Sequence, residues 1–278
     1  MNELEKFYRI FKWVEDIDMS EGRKRLQESI EKMSKAINHP SIQEILARKE
    51  KITIIDICSG KGKGFVALAK AILRRHDVGI EVIAVDLRQS ALEKAEEYAE
   101  KELGVKIKTF AYDVTRLWEL GISADIGLLF GFSTPHFNPY DLVRIVAGMA
   151  SILGSKGVFV VEESDRIYSI YQRIGYKDVY AEYADEDHVV LSIDSGRDPL
   201  KGVNKRLIMD LITGDRVSSE VRLWDIAGVA SILWCFYSHV DFIKYRHPYS
   251  GLLVAWRPRG INPIQYTRYP EIVSEQNH

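Results

Sequence analysis

Asp56-Ile-Cys-Ser-Gly-Lys-Gly-Lys-Gly64 joins a predicted β-strand to a predicted α-helix. The strand, residues 51–57, is apolar and rich in β-branched side chains, which is typical of a buried parallel strand. Glycines allow a tight turn and the close approach of a ligand, and the helix behind them points its first amides at that ligand. Such a loop after the first strand of a doubly wound sheet binds nucleotides; a plain glycine-rich turn is the alternative.

Strands and helices alternate from this loop through the middle of the chain. Alternating units of this kind predict a parallel sheet with helices on both faces. Strands are predicted at 51–57, 80–86, 105–112, 125–130 and 158–162, and helices at 64–75, 90–103 and 139–153.

Both ends of the chain depart from that alternation. Residues 1–49 read as helices, the first with an apolar face of Leu4, Phe7, Tyr8, Phe11 and Val14. The last third reads as antiparallel strands at 188–194, 205–213 and 217–224, a helix at 225–236, and a strand pair at 240–245 and 252–256.

The predicted fold class is therefore α/β. It is a doubly wound, mostly parallel seven-stranded sheet with a terminal antiparallel strand pair, an N-terminal helical cap and an antiparallel β insertion. The predicted units are the cap at 1–49, the main domain at 50–260 with the insertion at 164–224, and a tail at 261–278.

Two acidic residues end predicted strands after the loop. Asp86 follows Gly64 by 22 residues, where a carboxylate can accept hydrogen bonds from a ribose. Asp113 ends the third strand, where a side chain can reach an adenine edge. Each could instead be a helix N-cap, but two such acids after a glycine-rich loop favour a nucleoside.

Residues 52–163 resemble the class I S-adenosylmethionine-dependent methyltransferases. Asp56, Gly60 and Gly62 are similar to the family's first motif, although Cys58 stands where the family usually has a glycine. The resemblance implies S-adenosylmethionine as cofactor, S-adenosylhomocysteine as product, and a methyltransferase domain over 50–260. The implied cofactor-binding residues are Asp56, Cys58, Ser59, Gly60, Gly62, Gly64, Asp86, Leu87, Asp113, Val114, Phe130, Gly131 and Phe132.

A dinucleotide-dependent dehydrogenase is the rival interpretation. Its Gly-x-Gly-x-x-Ala pattern is met by residues 62–67. Asp113 and the closing antiparallel strand pair fit the methyltransferase topology better. No Walker loop is present, because neither Gly-Lys-Ser nor Gly-Lys-Thr follows the glycines.

Methyl transfer needs alignment of donor and acceptor, and a base when the nucleophile is bound protonated. The candidate base is His136, in the loop after the fourth strand, where its alternative role is packing. Candidate substrate residues are His136, Glu162, Tyr168 and Tyr171, with Glu163 and Asp165 beside them. The alternative role of the acidic residues is a solvated turn, and the alternative role of the tyrosines is aromatic packing.

Composition bears on partners and location. Thirty-eight basic and 40 acidic residues give a net charge of −2, so charge alone does not favour nucleic acid. The insertion resembles the lid of small-molecule methyltransferases, which favours a small-molecule acceptor. An RNA or protein acceptor, held by Arg246, Arg257, Arg259 and Arg268, and a non-catalytic S-adenosylmethionine-binding module are the alternatives.

Cys58 and Cys235 lack zinc-site spacing and read as reduced thiols, so we expect no metal and a cytoplasmic location. The N-terminus lacks the apolar core of a signal peptide. The longest apolar run, residues 226–237, is shorter than the roughly 20 residues of a membrane span, so no membrane partner is expected. The oligomeric state is not indicated.

Overall fold

The structure is a computed structural model that describes residues 3–11 and 16–274; Val14 of the predicted apolar face and residues 275–278 of the predicted tail lie outside them. The helices are α1 Glu3–Phe11, α2 Ser20–Ala36, α3 Pro40–Leu46, α4 Lys63–Leu73, α5 Gln89–Leu103, α6 Pro139–Ile152, α7 Ile226–Phe236 and α8 Glu271–Ser274. The strands are β1 Lys51–Ile57, β2 Gly79–Asp86, β3 Lys108–Ala111, β4 Ala124–Leu129, β5 Leu153–Ser164, β6 Val179–Ala184, β7 Val189–Asp198, β8 Val203–Asp210, β9 Arg216–Val221, β10 Tyr237–Lys244 and β11 Ser250–Pro258.

Seven strands form the main sheet in the order β10-β11-β5-β4-β1-β2-β3. Strands β1 to β5 pair in parallel, and β11 is antiparallel to both β5 and β10. The chain order reverses between β1 and β4, so the carboxyl ends of these strands open a crevice there. The predicted fold class is confirmed.

Helices cover both faces of this sheet. On one face α4 and α5 pack with α2 and α3, whose Leu26, Ile30 and Met33 are buried in the same apolar cluster as Ile54 of β1. On the other face α6 and α7 form a second cluster. Helices α2 and α3 thus bury their apolar faces in this domain core, and Lys32 of α2 reaches Glu162 at the end of β5.

Four further strands form a separate antiparallel sheet in the order β6-β7-β8-β9, here called the insertion sheet. The sequence predicted the last three of these strands and the turn at Gly214, where φ is 75°. It missed β6, since the tyrosines there recur at near-helical spacing. The preceding residues, Tyr168–Ile174, form a short π-helical segment.

Helix α1 is the part of the N-terminal region that does act as a cap. Its Ile10 is buried against Val190, Ile208 and Val217 of the insertion sheet. Among the described N-terminal helices, α1 packs against the insertion sheet, whereas α2 and α3 pack in the domain core; a cap over 1–49 stays a prediction.

The stretch after β11 packs against α6 and α7. The Tyr269 hydroxyl donates to Asp141, the Arg144 guanidinium lies 4.9 Å from the centre of the Tyr269 ring, and the rings of Tyr266 and Phe236 are 5.4 Å apart. Residues 263–274 of the predicted tail thus contain ordered turns that dock on the main domain.

In the described part of the chain, no helix combines the length and the apolar character that crossing a membrane requires. Nor do three or more His, Cys, Asp or Glu side chains among those same residues cluster in a way that could hold a metal ion.

Candidate functional site

The glycine-rich loop leaves β1 in a left-handed backbone conformation. The φ angles are 53° at Cys58, 52° at Gly60 and 86° at Gly62. A Cβ on Gly62 would lie 2.5 Å from the ring of Phe65, so this position needs glycine for both conformation and space. The loop leads directly into α4, which begins at Lys63.

Asp56 supports the loop from below. It is buried, and its Oδ2 accepts a hydrogen bond from the Phe65 amide at 2.9 Å. Its Oδ1 has no partner among the described residues. Burial raises the pKa of Asp56 to about 8. A Cβ on Gly64 would lie 2.6 Å from Oδ2, which explains the small residue there.

Asp86 connects the loop to the second strand. Its Oδ2 accepts from the Gly60 amide at 2.8 Å. Its Oδ1 accepts from the Arg88 amide at 2.9 Å and from Arg88 Nε at 3.2 Å. The buried Arg88 guanidinium lies 3.8 Å from the centre of the Tyr8 ring in α1. Asp86 therefore organises the loop, the β2–α5 turn and the cap together.

A cavity of about 340 Å³, here called cavity B, lies at the ends of β2 and β3 beneath α1. It brings together the two strand-end acids that the sequence singled out. Asp113 also caps the helical turn behind it, since its Oδ1 accepts from the Thr115 amide at 2.9 Å. The predicted residues that line cavity B are Cys58, Asp86, Leu87, Asp113, Val114 and His136.

A second cavity of about 340 Å³, here called cavity A, adjoins cavity B and extends to the insertion sheet. Phe7 and Tyr8 of α1 line both cavities, as do Cys58 and His136. The predicted residues that line cavity A are Cys58, Ser59, Gly64, Phe130, Gly131, Phe132 and His136.

The chain leaves β4 through residues 130–132, where φ is 97° at Gly131. The Gly131 amide donates to Glu162 Oε2 at 3.0 Å. The other oxygen of this buried carboxylate accepts from Lys32 Nζ at 2.9 Å and from the Tyr245 hydroxyl at 2.7 Å. Glu162, predicted to contact substrate, thus lies outside both cavities and reaches the site through Gly131.

His136 lies where the two cavities meet. The segment that ends the insertion fixes its loop: Trp224 Nε1 donates to the carbonyls of Thr134 and Phe137, and the Arg222 amide donates to the Pro135 carbonyl. Burial, followed by the charge of Arg166, lowers the pKa of His136 to about 4. The imidazole is therefore neutral at pH 7 and can accept a proton.

The other predicted substrate residues lie around cavity A rather than in it. Tyr168 stacks on Tyr249 with ring centres 3.6 Å apart, and Tyr171 stacks on Tyr176 at 5.9 Å. Asp165 Oδ1 caps the turn by accepting from the Tyr168 amide. Glu163 forms an ion pair with Arg166 at 2.6 Å.

Several lining residues were not predicted from the sequence. Arg166 lines cavity A and donates to the Phe132 carbonyl at 3.2 Å. Arg88 follows Asp86 by two residues, a spacing that could have identified it. Tyr176 and Tyr180 belong to the tyrosine-rich stretch in which the sequence allowed a pocket lining, with packing as the alternative, and both line cavity A. Glu182, Ser192, Asn204 and Arg206 also line it, and no local sequence pattern indicated them.

A family model described as a methyltransferase domain matches residues 54–157. This segment holds the glycine-rich loop, both strand-end acids and the loop after β4. The chain carries a class I S-adenosylmethionine-dependent methyltransferase domain. Its cofactor is S-adenosylmethionine. A search of curated proteins finds no match.

Solved structures share the fold over most of the chain. The PH0226 protein of Pyrococcus horikoshii OT3 is 20% identical, with a TM-score of 0.61, covering 91% of this chain and 99% of its own. An S-adenosylmethionine-dependent methyltransferase of Clostridium acetobutylicum ATCC 824 is 16% identical, with a TM-score of 0.60 and coverage of 93% and 100%. A sugar N-methyltransferase of Streptoalloteichus sp. ATCC 53650 is 16% identical, with a TM-score of 0.54 and coverage of 83% and 88%.

The residues present fit this cofactor. The buried Ser59 hydroxyl has no hydrogen-bond partner among the described residues and lies at the edge of cavity A. Asp86 and Asp113 present carboxylates in cavity B, where a nucleoside offers hydroxyl and amino donors. The residues that would hold the cofactor are Cys58, Ser59, Gly60, Asp86, Leu87, Asp113, Val114 and Gly131.

Proposed function

We propose that this methyltransferase acts on a small molecule bound in cavity A. The observation that carries the proposal is the enclosure of cavity A between the main sheet, α1 and the insertion sheet. A cavity of about 340 Å³ lies within the size range of small-ligand sites. A duplex or a folded protein surface would have to displace α1 to reach the loop after β4.

Cavity B would hold the nucleoside part of the cofactor, with Asp86 as the acceptor for its ribose and Asp113 for its adenine. Bound there, the cofactor supplies an activated methyl group on a sulfonium. The residues of the chain would align the acceptor in cavity A and exclude water from this cavity. The left-handed turn at Gly131, held by Glu162, keeps the β4 loop in place for this alignment.

His136 is our candidate for the proton acceptor. It lines both cavities, its ring is neutral above pH 4, and Trp224 and Arg222 fix its loop. A hydroxyl acceptor, or the ammonium that forms when a neutral amine is methylated, loses a proton, and this imidazole is placed to take it.

The small-molecule proposal draws support from the neighbouring fold of the sugar N-methyltransferase. The arginines suggested for an RNA or protein acceptor support that alternative less well. Arg259 Nε donates to the carbonyls of Trp234 and Tyr237, so it is engaged at the end of α7.

Two measurements test the proposal in sequence. Calorimetric titration with S-adenosylmethionine, S-adenosylhomocysteine and NAD should show micromolar binding of the two adenosyl ligands and none of NAD. Release of S-adenosylhomocysteine is then measured with pooled small metabolites, total RNA and a denatured-protein mixture. Turnover with the small-molecule pool alone supports the proposal; turnover with only RNA or protein contradicts it, and binding without any turnover favours a non-catalytic module.

A further inference from the structure

The insertion sheet supplies a polar wall to cavity A. The opposite lining from α1 is aromatic and consists of Phe7, Tyr8 and Phe11, so the sheet adds polar groups that α1 lacks. The polar side chains on this wall are Tyr180, Glu182, Ser192, Asn204, Arg206 and Ser219, with Tyr176 just before the sheet.

Arg206 is fully engaged by the protein. Its Nε donates to the Ser192 hydroxyl at 2.8 Å, and its Nη2 donates to the Ser192 carbonyl at 2.6 Å and the Asp178 carbonyl at 3.5 Å. Its Nη1 donates to the Tyr176 hydroxyl at 3.3 Å and the Lys177 carbonyl at 3.1 Å. A guanidinium has five N–H donors, so none is left for an anionic ligand.

Three of the cations that line cavity A also have their own acidic partners. Each partner lies within 4 Å, so these three cations present little uncompensated charge to the cavity; Lys63 is the fourth cation of its lining. The pairs are Arg206 with Asp194 at 3.9 Å, Arg166 with Glu163 at 2.6 Å, and Lys61 with Asp16 at 3.9 Å.

Glu182 differs from these groups. It is the only acidic residue among those that line cavity A in the described chain, and it has no ion pair within 4 Å there. A carboxylate can accept about four hydrogen bonds. Residue 182 as a whole is exposed, but desolvation of its carboxyl raises the pKa of Glu182, with Ser192 and Arg206 acting in the opposite direction. A positively charged donor would fill the acceptor sites of the carboxylate that Ser192 leaves unused, and would add to the partial compensation of its charge by Arg206.

We propose that Glu182 binds a protonated amine of the acceptor. The inference rests on the proposed function and adds the chemical class of the substrate. A protonated amine has no lone pair for nucleophilic attack, so the group at Glu182 is not the atom that is methylated. The acceptor therefore carries an ammonium group in addition to its nucleophile, and Glu182 sets the orientation of the molecule in cavity A.

The test uses the full chain saturated with S-adenosylhomocysteine. Its probes are matched compounds that differ in one group: glucosamine, glucose and glucuronate, and trans-4-aminocyclohexanol, 1,4-cyclohexanediol and 4-hydroxycyclohexanecarboxylate. Affinities are measured by calorimetry for the wild type, Glu182→Gln and Glu186→Gln. Glu186 is exposed in the β6–β7 turn, so Glu186→Gln makes the same change of charge outside the cavity.

We expect the amines to bind the wild type and Glu186→Gln about tenfold tighter than their neutral and anionic counterparts, as charge-assisted hydrogen bonds give. Glu182→Gln should lose this preference while its affinity for S-adenosylhomocysteine stays unchanged. Equal or tighter binding of the neutral or anionic probes, or a preference that survives in Glu182→Gln, would overturn the inference. Failure of the wild type to bind S-adenosylhomocysteine would instead overturn the proposed function.

Discussion

Cavities A and B adjoin, yet they are built in different ways. Cavity B is formed by the ends of parallel strands and a glycine-rich loop, with Asp86 and Asp113 placed by the strands that precede them. The distal wall of cavity A is formed by side chains of antiparallel strands, such as Glu182 and Arg206. Under the proposed function, cofactor binding would thus depend mainly on backbone geometry, and acceptor binding on side chains.

The largest expected effect lies at the junction of the two cavities. Replacing His136 with Asn should lower kcat by about 100-fold to 10,000-fold, because the proton acceptor is lost. Affinity for S-adenosylmethionine should change little. Steady-state kinetics with an acceptor from the metabolite screen measures kcat for the wild type, for His136→Asn and for the control variant His76→Asn.

In the wild type, kcat/KM should fall as pH drops through about 4, since His136 then becomes protonated and cannot accept a proton. Unchanged kcat in His136→Asn would assign His136 to packing and remove it from the mechanism.

The next prediction compares the loss of a carboxylate in cavity B with the loss of one elsewhere in the main sheet. Asp86→Ala removes the acceptor of the Gly60 amide and the carboxylate to which Arg88 donates at 3.2 Å. We expect about 100-fold weaker binding of S-adenosylmethionine, or about 2.7 kcal/mol. Asp125→Ala removes a carboxylate at the start of β4, at the opposite edge of the sheet, where it pairs with Lys49, and should leave that affinity intact. Equal losses in both variants would show a general loss of folding.

A smaller effect tests whether the glycine-rich loop beside cavity B depends on its backbone geometry. Gly62→Ala adds a Cβ 2.5 Å from the Phe65 ring at a left-handed position, and should lower the free energy of unfolding by about 2–4 kcal/mol. Gly104→Ala has a similar φ of 70° but open space around it, so about 1–2 kcal/mol is expected. Urea denaturation measures the free energy of unfolding of the wild type and of both variants. Similar losses would mean that conformation alone, and not contact with Phe65, requires glycine at position 62.

A pH-dependent effect on stability concerns the acid beneath the loop. Asp56 has a pKa of about 8 when folded and about 3.8 when unfolded, so the native state binds more protons between these values. Its contribution to stability is present below pH 4 and is lost as pH rises toward 8. Asp56→Asn removes this dependence and keeps an acceptor for the Phe65 amide. The stability of the variant relative to the wild type should therefore increase from pH 4 to pH 8. A difference that stays constant over this range would contradict the raised pKa.

The same contrast explains what could be predicted from the sequence. Asp86, Asp113 and the glycine-rich loop were located correctly at strand ends, because strand periodicity and glycine positions fix local backbone geometry. Glu182 was not found, since the tyrosines of β6 resemble a helical pattern and exposure alternates only weakly along that strand. Contacts between distant segments could not be predicted, because they produce no local sequence pattern. An example is the contact of Lys32 with Glu162, which are 130 residues apart.

A crystal structure with S-adenosylhomocysteine tests the central claim most directly. We predict the adenosine in cavity B, with its ribose at Asp86, and the sulfur at the junction of the cavities near His136 and Gly131. Adenosine bound in cavity A, or a sulfur that faces away from cavity A, would contradict the account.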